Sequence, residues 1–147
     1  MTSGIESLSL SEFRGYENLT LHAGGRSIVL FGPNGAGKTN ILEAISFLSP
    51  GRGLRRARLG EVLKKDTMVA SWHVEARVRR EREPPVLLAS SAQITPGKER
   101  RTGSIFGKKE KTLSAFGAYL NLSWVTPQMD RLFIDGAGER RRFLDGE

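Results

Sequence analysis

Gly32-Pro33-Asn34-Gly35-Ala36-Gly37-Lys38-Thr39 decides how the rest of the chain is read. Its spacing is G-x-x-x-x-G-K-[ST], the P-loop or Walker A pattern. Glycine reaches positive φ without strain and carries no Cβ, so the backbone turns tightly and can approach an anion closely. Successive N–H groups then form an anion-binding nest. The helix that follows aims the positive end of its dipole at the same point. Lys38 is placed to reach the β- and γ-phosphates, and Thr39 to offer a hydroxyl to Mg²⁺. The predicted nucleotide contacts are therefore Gly32, Pro33, Asn34, Gly35, Ala36, Gly37, Lys38, Thr39 and the adjoining Asn40, with ATP and Mg²⁺ as cofactors. A chance match in a chain this long arises roughly once in a hundred sequences.

The flanks supply the context a P-loop needs. Residues 27–31 form a nearly continuous apolar run, which predicts a strand buried on both faces. From 38 to 48 the period becomes helical, with Ile41, Leu42, Ala44, Ile45, Phe47 and Leu48 on one broad face. Pro50-Gly51 stops that helix. Upstream, 5–10 and 19–22 alternate apolar with polar, as half-buried strands do, and Gly24-Gly25 marks a turn. Downstream, 68–78 reads as a strand ended by Pro84-Pro85, and 86–94 as its hairpin partner. Residues 95–112 read as turns with a short basic strand around Ile105-Phe106, and 113–122 as either a short helix or a strand.

At 147 residues the chain fits one domain. Its 38% hydrophobic and 27% charged residues suit a globular protein rather than a disordered one. Neither a secretory signal nor an apolar run near the ~20 residues of a membrane span is visible. Cysteine is absent, which removes disulfides and thiolate metal sites and agrees with a cytoplasmic location. The net charge of +7 is unevenly spread: residues 1–50 sum to −1 and the remainder to +8. The excess lies in clusters at 52–58, 77–82, 98–101, 107–111 and 140–142. Such clusters suit contact with nucleic-acid phosphates, or simply a solvated basic surface.

The P-loop alone does not name a function. Leu8-Ser9-Leu10-Ser11-Glu12-Phe13-Arg14-Gly15-Tyr16 resembles the opening of SMC-like ATPase heads. The loop and helix through Thr39-Asn40-Ile41-Leu42-Glu43-Ala44-Ile45 resemble those of the RecF family in particular. Ser49-Pro50-Gly51-Arg52-Gly53-Leu54-Arg55-Arg56-Ala57 and Glu139-Arg140-Arg141-Arg142-Phe143-Leu144-Asp145 are similar to the same family. The resemblance is strongest at 8–58 and 124–145 and weakest at 80–112.

It implies an α/β P-loop NTPase fold: the N-lobe of an ABC-type (SMC/RecF-like) head, its mixed sheet packed on the P-loop helix. The N-lobe would take up about 1–112, with the start of a helical lid at about 113–147. It implies an ATP-dependent DNA-binding protein of recombinational repair and replication restart, linked to the SOS response. ATP would gate a homodimer on gapped duplex or single-strand/double-strand junctions, with RecO and RecR as partners and no membrane. Gln128 falls where a Q-loop ligand to Mg²⁺ is sought, with Asp130 as competitor. Arg55 and Arg56 fall where such heads place a DNA-facing arginine loop. For Arg14 two readings stay open, contact with the nucleotide or a salt bridge at the sheet edge. Trp72 and Trp124 read as core or interface residues. The alternative family is the OLD-type ATP-dependent nuclease, which shares the Phe-Arg opening and the Thr-Asn-x-Leu-Glu-Ala helix.

Hydrolysis needs a strand-end carboxylate for Mg²⁺ and a group that orients water. Asp135 and Asp145 follow apolar runs that are too short, and Gly follows each, so neither is read as Walker B. A Leu-Ser-Gly-Gly/Gln-type signature is likewise missing. The expectation is a piece of a longer ATPase that binds ATP weakly and barely turns it over.

Overall fold

The computed structural model describes residues 3–126. Gln128, Asp130, Asp135, Asp145 and the basic cluster at 140–142 lie outside them.

The frame is a six-stranded sheet in the order β2-β1-β3-β4-β5-β6. Its strands are β1 (Gly4–Phe13), β2 (Tyr16–His22), β3 (Ser71–Arg79), β4 (Val86–Thr95), β5 (Lys98–Ile105) and β6 (Lys108–Lys109). Every ladder among the described residues is antiparallel. Alternation sorts the two faces. Leu8 and Leu10 of β1, Trp72, Val74, Ala76 and Val78 of β3, and Val86, Leu88 and Ala92 of β4 turn inward and are buried. The opposite face carries rows of small polar side chains, such as Ser11, His73, Ser91 and Thr102 across β1, β3, β4 and β5.

The P-loop helix α1 (Lys38–Ser46) lies on the apolar side, and a short helix α2 (Leu59–Val62) follows it. Ala44, Phe47, Leu48 and Val62 complete the core. At its centre the rings of Phe13, Phe47 and Trp72 meet edge-on or tilted, with centroids 4.9 to 6.0 Å apart. Aromatic contacts of this kind contribute about 0.5–1.5 kcal/mol each beyond area burial. Trp72 Nε1 donates to the Leu59 carbonyl at 3.0 Å, so its polar atom is satisfied. A 3₁₀ turn at Leu113–Ala118 brings Phe116 back into the core.

Two expectations are corrected. Residues 27–31 form no ladder, and Ile28, Val29 and Phe31 are 55%, 82% and 90% exposed. An apolar run becomes a buried strand only beside other strands, and none of the six described strands pairs with it. Within α1, Leu42 is 51% exposed while Glu43 is fully buried, so the inward arc is rotated from the one hydropathy suggests.

Candidate nucleotide site

The hairpin between β1 and β2 is the floor on which the loop rests. Its two-residue turn, Arg14-Gly15, places Arg14 at φ 51. Tyr16, the first residue of β2, donates its hydroxyl hydrogen to the Gly37 carbonyl at 3.1 Å. Gly37 caps α1 in the left-handed region, at φ 92 and ψ 10. A Cβ there would lie 2.4 Å from the Tyr16 Oη, so both backbone and neighbour require glycine. At Gly35, also at positive φ, a Cβ would meet nothing within 4 Å, so conformation alone favours glycine there.

The first intrahelical bond runs from Ile41 N–H to the Gly37 carbonyl at 3.3 Å. The N–H groups of Gly37, Lys38, Thr39 and Asn40 therefore find no carbonyl acceptor among the described residues. No acidic side chain occupies the first turn of α1 to compete for them. Unclaimed donors at the positive end of a helix form an anion site. The Lys38 ammonium folds back onto the Gly32 and Pro33 carbonyls, keeping a cation at the mouth of the loop. Residues 32–36 are exposed and the loop is open to a polyphosphate. These features fit a nucleotide. Thr39 is exposed and sits next to Lys38, which fits a hydroxyl ligand to a phosphate-bound Mg²⁺. Among the described residues no cluster of three His, Cys, Asp or Glu side chains offers a separate metal site.

Behind the loop lies a charge network that sequence reading did not find. Arg14 Nε donates to Glu43 Oε1 at 2.7 Å, and Nη2 to Oε2 at 3.0 Å. Its Nη1 donates to the Glu61 carbonyl at 2.9 Å. The Glu43 hydrogen bond, aided by the attraction of the two charges, raises the Arg14 pKa above its ordinary value. Arg14 thus pairs with a buried carboxylate of α1 rather than with a partner at the sheet edge. Arg55 Nη1 donates to Asn40 Oδ1 at 2.8 Å and approaches Glu43 Oε1 at 3.3 Å. Arg55 is thereby tied to the P-loop helix. Arg56, at φ 53, is exposed. A Glu in the apolar arc of α1 was the available signal for Glu43; its partner Arg14 lies 29 residues earlier.

The far end of α1 is bolted by another arginine. Arg101 of β5 points inward, donates to Ser90 Oγ at 2.9 Å, and reaches the carbonyls of Phe47, Ser49 and Gly51. It also lies over the Phe47 ring, 5.0 Å from its centroid. Burial lowers its pKa to about 10, which leaves it charged at neutral pH. A cation among the last carbonyls of a helix is favoured by their dipoles.

A family model described as AAA domain matches residues 7–134. The DNA replication and repair protein RecF of Caulobacter vibrioides is 43% identical over 147 residues, spanning 98% of this chain and 38% of that protein. RecF of Rhizobium meliloti is 42% identical over 138 residues, spanning 94% and 36%. A solved structure of the recombination mediator protein RecF with ATP, in the RecFOR pathway, superposes with a TM-score of 0.78 at 24% identity, over 98% of this chain and 38% of that one. This fold is thus the α/β P-loop head anticipated from sequence, and the chain spans little more than a third of the length of the relatives it matches. The chain belongs to the AAA domain family, and its likeness to the N-terminal part of RecF proteins runs over nearly its whole length.

Proposed function

We propose that the chain is the nucleotide-binding part of an ATP-dependent DNA-binding protein of recombinational repair and replication restart. One observation carries the reading: a loop of P-loop spacing delivers unclaimed N–H groups and Lys38 to a single exposed point at the start of α1. ATP bound there would bring a polyphosphate whose charge the amides, the helix dipole and Lys38 would offset, and Thr39 would offer its hydroxyl to Mg²⁺. Asn40 lies one residue beyond and hands its side-chain oxygen to Arg55.

Dimerisation on gapped duplex or junction DNA, RecO and RecR as partners, a cytoplasmic location, and a boundary between N-lobe and lid near residue 112 belong to the same proposal. It is supported by the names of the relatives and by the basic clusters outside residues 1–50. Among the described residues no helix is long and apolar enough to cross a membrane.

Titration with Mg-ATP, followed by amide shifts of residues 32–40, tests the nucleotide site. Lys38→Ala should lower affinity at least tenfold, the scale of one charge-assisted contact. Unchanged affinity in that variant, or amides of the loop left unperturbed at saturation, would overturn the reading.

A further inference from the structure

The β5–β6 hairpin ends in a two-residue loop, Phe106-Gly107, with both residues at positive φ, 51 and 76. Two-residue hairpin loops of this type favour Asn, Asp or Gly, because a bulky side chain at positive φ is strained. Phe106 is also 64% exposed, so the core does not explain it. Neither turn chemistry nor packing accounts for an aromatic ring at this tip.

Its surroundings are cationic. Lys108, Lys109 and Lys111 follow it, and no ion pair among the described residues reaches any of them. Beside the hairpin runs a groove of about 370 Å³ whose lining includes Arg100, Lys109, Lys111 and Thr112, with Glu110 as its one carboxylate. The ladders fix where the tip lies. Phe106 N–H donates to the Leu87 carbonyl, Leu87 pairs with Arg77, and Gly4, the first residue of β1, pairs with Arg79. The tip therefore sits at the end of the sheet opposite Phe13 and the P-loop, roughly 25 Å away at the rise of a strand. The basic clusters at 77–82 and 107–111 come to that same end, although Arg77 and Arg79 are paired with Glu6.

We propose that this hairpin is a DNA wedge. Phe106 stacks on a base left unpaired at a single-strand/double-strand junction, Lys108 and Lys109 hold the neighbouring phosphates, and the groove carrying Lys111 and Arg100 leads away from the tip. An aromatic platform among basic side chains is the arrangement by which single-stranded nucleic acid is held without regard to sequence. The inference rests on the DNA-binding reading above and adds to it the contact point, an aromatic hairpin tip.

The test uses the full chain with a gapped duplex, a blunt duplex of the same length, and vesicles containing phosphatidylserine. Phe106→Ala should weaken gapped-duplex binding roughly tenfold, the scale of losing one stacked base, and leave blunt-duplex binding and the salt slope unchanged. Phe106→Trp should restore binding, with its fluorescence quenched by the gapped duplex. Lys108→Ala with Lys109→Ala should reduce the slope of log K against log salt by about two on both DNAs. If Phe106→Ala binds gapped DNA as the parent does while the lysine variant still loses slope, the wedge is wrong and DNA binding stands. If the parent shows no salt-dependent DNA binding, the underlying reading fails first. Loss of vesicle binding with DNA binding intact would assign the tip to lipid and overturn the proposal.

Discussion

Removing Arg14 exposes how much the loop's foundation depends on one guanidinium. Glu43 has a side chain only 1% accessible and receives two charge-assisted bonds from Arg14 and one longer approach from Arg55. Arg14→Ala leaves that carboxylate buried with Arg55 alone, 3.3 Å away and on a side chain that is 40% exposed. Breaking a buried pair by deleting one partner costs about 3–5 kcal/mol. Because the Arg14 side chain is itself 22% accessible, the lower figure, about 3 kcal/mol, is expected. Arg55→Ala should cost about 1 kcal/mol or less, since its bond is longer and more exposed. Replacing both members, Arg14→Met with Glu43→Met, removes the unpaired charge and should recover stability to within about 1 kcal/mol of the parent. Urea unfolding followed by tryptophan fluorescence measures all three, because Trp72 lies 5.5 Å from the Phe13 ring at the root of this hairpin. At this chain length the Arg14→Ala loss corresponds to a Tm lower by about 10 °C. Arg55→Ala proving as costly as Arg14→Ala, or the double variant losing the sum of the two single losses, would refute the account.

Gly37→Ala forces a Cβ into the Tyr16 hydroxyl and a residue into the left-handed region; nucleotide affinity, read by calorimetry, should fall at least tenfold. Tyr16→Phe in the same background should not restore it, because the backbone strain remains. Arg101→Ala should destabilise by about 2–4 kcal/mol in denaturant unfolding, since the carbonyls of Phe47, Ser49 and Gly51 lose their shared donor; Arg101→Lys, without the planar fork, should recover only part. Glu6 is held below its ordinary pKa of 4.5 by hydrogen bonds from Arg79 and then Arg77. Its contribution is present above pH 4.5 and is lost as pH falls through the lower folded value. Glu6→Gln should therefore flatten stability against pH in that acid range and leave its slope near neutrality unchanged.

Legibility in the sequence followed burial pattern. β1, β2, β3 and β4 alternate, so hydropathy revealed them, and the P-loop spacing located α1 within a residue or two. β5 was nearly invisible because its inward positions are Arg101, Gly103 and Ile105, of which only one is a hydrophobe of any size. An arginine that is half-buried on helix-end carbonyls looks, in a string of letters, like any surface arginine. At Gly103 a Cβ would strike Phe116 and Leu113 at 2.6 and 2.7 Å, so that glycine is fixed by a partner that comes later in the chain. The same non-locality hid Glu43 with Arg14, and it explains why residues 27–31, strand-like by composition, are not a strand here. Composition states what a segment can bury, but neighbours decide whether it does.

Ile28, Val29 and Phe31 stand bare to water immediately before the P-loop. Short apolar runs with unused backbone donors and acceptors invite pairing between molecules. What opposes this in dilute buffer is mutual repulsion from the +7 charge, which added salt screens. Samples of this chain should accordingly stay monodisperse at low ionic strength and turn cloudy as salt or concentration rises, with Phe31→Lys delaying the onset.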